Sequence, residues 1–222
     1  MNKLTKLEIG LVSLLLVWFL FTATNVNPAL GQIYAIFALS SIVYVLIDPK
    51  RDIALKKPND SRLGALIVGA GAYVVLIIIG SYVIIPGVKS LLDLLVATTP
   101  VLSTNALINK IMFGIAIAAT ETLFFFVYGF DLVASLFNVK INKENLRSLK
   151  LWMIIIGISL AFMFFHLTSK GISVESIPIL VLVFFMSVIS LVLVTWFESG
   201  EQAVYFHCIA NSLSVGLIPL FF

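Results

Sequence analysis

Apolar stretches of about eighteen or more residues recur through this chain, long enough as helices to cross a hydrocarbon layer of about 30 Å. Seven segments read this way, at about 8–24, 32–47, 63–85, 105–136, 151–168, 177–197 and 202–221. Polar or Pro-marked breaks separate them: "NVNPALG", "DPKRDIALKKPNDSR", Pro86, "NVKINKENLRSLK", "TSKGISVES" and the tight "ESGE". Residues 87–100, "GVKSLLDLLVATTP", are too short and too mixed to span, and suit an amphipathic helix lying in the interface. The fold expected is an all-α polytopic membrane protein of about seven transmembrane helices plus this interfacial helix.

Composition agrees. Of 222 residues, 61% are hydrophobic and 11% charged, against about 25% charged in a soluble domain. The net charge of +3 would allow a nucleic-acid partner, but the basic residues lie in loops between spans and no DNA-binding motif accompanies them. With the N-terminus in the cytoplasm, the inner segments hold Lys3, Lys6, Lys50, Arg51, Lys56, Lys57, Arg62, Lys140, Lys143, Arg147 and Lys150. The outer segments hold only Lys89 and Lys170, with Lys110 near a helix start. That bias is the positive-inside pattern of a multi-pass cell-membrane protein. The opening "MNKLTKLEIGLVSLLLVWFLFTATN" has the charge and apolar core of a signal peptide but no convincing small-residue cleavage site, so it reads as a retained first helix. The single cysteine, Cys208, allows no intramolecular disulfide and sits in an apolar span as a small hydrophobe would. No internal repeat or soluble domain interrupts the chain. It reads as one integral membrane domain, with N-terminal helices and the interfacial segment over 1–104 and a four-helix core over 105–222.

Ionisable groups inside spans are expensive and mark a site, a pathway or a structural pair. Glu121 lies in the middle of the fourth segment, His166 ends "AFMFFH" in the fifth, and His207 and Asn211 stand in "FHCIANSLS" in the seventh. Positions four apart share a helix face, which puts His207 with Asn211 and Phe162 with His166; Tyr128, seven residues after Glu121, falls on its stripe. Each residue alone could be a hydrogen-bonding link between helices. Together, one acid, two imidazoles and an amide are the groups that activate a water and stabilise an oxyanion. Two His and a Glu could also bind zinc, but no HExxH pair occurs, and water activation without a metal cofactor is the preferred expectation. A proton relay or small transporter would use the same groups, yet no inverted repeat or Gly/Pro-broken helix pair supports it.

The order of these motifs resembles the CPBP (Abi, CAAX prenyl protease-like) family of intramembrane proteases. Phe162-x-x-x-His166 fits that family's second motif and His207-x-x-x-Asn211 its third, over roughly residues 105–220. The first motif, commonly "EETLFR" there, is "TETLFF" here: Thr120 stands at the first Glu, Glu121 at the second and Phe125 at the Arg. The resemblance implies a CAAX-protease-like helical core and an intramembrane endopeptidase. A motif glutamate and His166 would activate water, His207 and Asn211 would form the oxyanion site, and membrane-associated proteins or peptides, prenylated ones included, would be the substrates. The departures leave two expectations open. Either Glu121 acts as the base through a small helix rotation, neighbouring positions being about 100° apart, or the fold is a non-catalytic scaffold, chaperone or immunity protein. Depth adds a condition. Glu121 and His166 each lie about 15 residues, or about 22 Å, from the inner ends of their helices, whereas His207 follows "ESGE" closely. One site can form only if that turn sinks into the protein or the fourth and fifth helices project beyond the bilayer.

Overall fold

The computed structural model describes residues 9–10, 12–17, 20, 28–47, 62–79, 114–170 and 177–217. Among these the chain is helical, with short turns and no strand. We label the main helices α1 (Pro28–Ile47), α2 (Arg62–Ile79), α3 (Gly114–Leu136), α4 (Leu149–Lys170), α5 (Ile177–Phe197) and α6 (Glu201–Leu217). Helical residues at 9–10, 12–17 and 20 precede them. Every one of the seven stretches expected to be helical therefore contains helix. The interfacial helix expected over 87–100 lies outside the described residues.

Among the described residues three helices are long and apolar enough to cross a membrane: Gly114–Leu136, Leu149–Leu167 and Leu180–Phe197. Apolar side chains lie on the outside of these helices as well as within. On α4, Leu149, Met153, Ile156, Leu160 and Phe164 are exposed, spaced as one helical stripe. The opposite stripe, Leu151, Ile155, Ser159 and Phe162, is buried. An apolar stripe of this extent on the outside is tolerated where the solvent is lipid.

α3 is the irregular element. From Thr122 to Gly129 it widens into a π-helix, whose i→i+5 repeat takes one more residue per closed turn than an α-helix. Gly129 permits this: a Cβ there would stand 2.7 Å from the Phe124 carbonyl oxygen. α3 then ends in a Schellman motif, with Asn138 at φ 54 and Val139 N–H donating to Ala134 O at 2.8 Å. A 3-10 turn over Lys143–Arg147, capped by Asn142 Oδ1 accepting from Asn145 N–H, leads into α4. That turn packs on α5, where Lys143 sits over the Trp196 ring at 4.3 Å.

Two tyrosines tie α1 to α3. Tyr34 donates to Glu121 and Tyr44 to Asp131, both across 87 residues. The constant offset means that α1 and α3 run parallel. α2 packs against α6 at Gly69, where an added Cβ would come 2.9 Å from the Phe206 backbone nitrogen. Small residues let helix backbones approach this closely in membranes. A core of Leu76, Phe126, Phe130, Phe162, Leu191 and Phe206 fills the space between α2 and α6.

Candidate active site

Glu121 occupies the last α-helical position before the π segment and is 1% exposed. It faces three helices at once. From α1, Tyr34 Oη donates to Glu121 Oε1 at 2.5 Å. From α4, His166 Nε2 stands 3.9 Å from the same oxygen. From α6, His207 Nε2 stands 3.4 Å from Oε2. The sequence-expected acid and both imidazoles thus meet in one place.

Each imidazole is oriented from behind. His166 Nδ1 lies 3.0 Å from the Phe162 carbonyl oxygen, one helical turn back. A carbonyl only accepts, so Nδ1 carries a proton, and Nε2 is the ring atom that faces Glu121. His207 Nδ1 lies 3.0 Å from Thr122 Oγ1. When that hydroxyl donates to Nδ1, His207 carries its proton on Nε2 and aims it at Glu121. The ring of Phe162 wedges between the two imidazoles, with centroids 4.5 Å from His166 and 6.0 Å from His207.

Other expectations resolve as follows. Asn211, one turn beyond His207 on α6, is partly buried and makes no hydrogen bond to the cluster among the described residues. Thr120 turns back on its own helix and donates to Ala116 O at 2.9 Å. Phe125 lies among the rings of Phe37, Phe124, Phe162 and Phe165, with centroids 4.9–5.7 Å away. Tyr128 packs on Tyr44 at 5.2 Å, facing α1 as Glu121 does through Tyr34. At the turn into α6, Ser199, Gly200, Glu201 and Gln202 are all buried within the protein. α6 therefore begins inside the protein, and six residues suffice to bring His207 level with Glu121.

Two site residues were not anticipated. Tyr34 sits in a stretch read only as a span, and Thr122 lies within "TETLFF" with no role assigned to it. A signal for the first was present. Tyr34 and Tyr44 are ten residues apart, as are Glu121 and Asp131, which is the spacing two parallel helices need to pair twice. Nothing local marks Thr122.

Among the described residues no group of three His, Cys, Asp or Glu side chains is placed to hold a metal ion. A cavity of about 310 Å³ adjoins the site, lined by Ser40, Tyr44, Phe124, Phe125, Tyr128 and Ala161 among others. It lies between α1, α3 and α4, and its wall is almost wholly apolar. No family model, curated protein or solved structure matches the chain.

Proposed function

We propose that the chain is a multi-pass intramembrane endopeptidase of the CPBP kind, with seven spans and a cytoplasmic N-terminus. It hydrolyses peptide bonds of membrane-associated substrates, prenylated ones included. The observation that carries this reading is that His166 Nε2 and Glu121 Oε1 face each other across 3.9 Å, two acceptors when the imidazole is neutral. A water between them can donate one O–H to each. Glu121 then takes a proton as the water oxygen adds to the scissile carbonyl. His207 Nε2–H, fixed by Thr122, is a donor for the oxyanion, with the Asn211 amide beside it on α6. The proton on Glu121 passes to the leaving amine as the C–N bond breaks.

The π segment supports Glu121 as the base in place of Thr120. A change of phase beginning at Thr122 offers the rotation that a one-residue displacement of the acid requires. Positive-inside charge and parallel α1 and α3 support the topology, since both would run from outside to inside. A non-catalytic scaffold is the competing reading, and one feature favours it: Phe125 stands within a ring cluster where the resembled family has an arginine.

The test is cleavage of a quenched peptide with an apolar anchor, in lipid, by wild type, Glu121→Gln and Thr120→Glu. The proposal expects turnover by wild type and loss of about 10²–10⁴-fold in Glu121→Gln. Equal turnover in both removes Glu121 as base. No turnover in wild type together with a gain in Thr120→Glu establishes the scaffold reading.

A further inference from the structure

The hydrolytic reading leaves one group of polar atoms unused. At the head of α6, Gln202 is 0% exposed and Glu201 is 7% exposed. Neither amide atom of Gln202, nor Glu201 Oε2, has a hydrogen-bond partner among the described residues. These three atoms are consecutive along the chain, in a turn that the site requires to be deep. Of the other buried hydroxyls among the described residues, those of Thr120, Ser190 and Thr195 each donate to a carbonyl one turn back, whereas Ser159 and Ser187 Oγ are isolated single atoms without a partner there. A buried carboxylate oxygen and a whole carboxamide left without partners are costly in a dry core. In contact with water they are not.

Position adds the purpose. Glu121 and His207 are each 1% exposed, and every peptide bond hydrolysed consumes one water. Gln202 lies five residues before His207, about 7.5 Å along the same helix. The buried turn lies next to the end of α5, on which the 3-10 turn over Lys143–Arg147 packs. We infer that Glu201 and Gln202 line a hydrated vestibule that opens toward the Lys143–Arg147 side and delivers water to Glu121. Its role as a supply rests on the hydrolytic reading; its hydration does not.

Cysteine labelling tests it without needing catalysis. Cys208→Ser provides the thiol-free background, into which Gln202→Cys or Glu201→Cys is introduced in the full-length protein in sealed vesicles. Leu191→Cys, fully buried in the apolar core, is the dry control. Lys143→Cys marks the side of the membrane. The probe is a small charged, membrane-impermeant thiosulfonate, which reacts with the thiolate and so needs water at the site. Gln202→Cys is expected to react on the order of 100-fold faster than Leu191→Cys, and from the same side as Lys143→Cys. Reaction no faster than Leu191→Cys overturns the vestibule. Reaction from the opposite side only overturns its direction and assigns supply to the partly exposed face of His166 (18%). Gln202→Leu gives a second reading that does not depend on thiols. A hydrated Gln202 predicts a lower Tm in that variant, and a higher Tm means that the pocket is dry. Labelling without peptidase activity would leave the vestibule standing and sink the hydrolase alone.

Discussion

Glu121 is held by the Tyr34 hydroxyl and faced by His166 and His207, and the contacts divide its two oxygens between them. Oε1 takes the Tyr34 hydroxyl and looks toward His166, while Oε2 looks toward His207. Tyr34 thereby fixes the carboxylate's rotation. Removing that hydroxyl in Tyr34→Phe takes away a hydrogen bond to a charged group, about 1.5–3 kcal/mol. The expected result is a loss of about ten- to a hundredfold in kcat with little change in KM, because the substrate itself does not touch Tyr34. Thr122→Val acts on the other side. It frees His207 to exchange its tautomer, and steady-state kinetics should show a kcat reduction of about tenfold. The two ends of this network were unequally legible. Glu121, His166 and His207 stand out in any hydropathy reading because ionisable groups in lipid are rare. Tyr34 and Thr122 do not, since tyrosine and threonine are unremarkable in a span and become informative only once their distant partners are known.

The helices themselves were legible as apolar run lengths, and each expected stretch contains helix. The departures from regularity were not. No residue between 122 and 129 announces a π-helix. Gly129 makes it possible, and Gly129→Ala tests it. The new methyl would meet the Phe124 carbonyl at 2.7 Å, a backbone atom that cannot step aside. Thermal unfolding in detergent should show a destabilisation of about 1–3 kcal/mol, with cleavage falling further than stability explains as Glu121 is turned. Gly69→Ala is the companion experiment at the α2–α6 crossing. Its Cβ would press on the Phe206 backbone at 2.9 Å, one residue before His207, so both Tm and kcat are expected to fall. The sunken turn was foreseeable only as a condition. Counting residues says that His207 is too shallow unless "ESGE" sinks into the protein or its neighbouring helices project beyond the bilayer; Ser199, Gly200 and Glu201 of that turn are buried.

For the whole molecule, the account joins an apolar exterior to a polar interior. α4 exposes Leu149, Met153, Ile156, Leu160 and Phe164 while burying Ser159 and presenting His166 inward, the arrangement expected of a chain dissolved in lipid. Accessibility mapping of single cysteines should place Lys3 and Lys143 on one side and Lys89 and Lys170 on the other; mixed sidedness would refute the seven-span topology. Chelators should leave cleavage unchanged, as the proposed chemistry uses only side chains and water. The central claim, however, is that Glu121 and His166 act on one water as a unit. The most direct measurement is a double-mutant cycle on kcat for the anchored quenched peptide, comparing Glu121→Gln, His166→Ala and both together. Groups that act as a unit lose most of their effect with the first substitution. The account predicts that each single variant falls by about 10²–10⁴-fold and that the double variant falls no further than the worse single. Losses that multiply in the double variant, or a single variant at the wild-type rate, would contradict it.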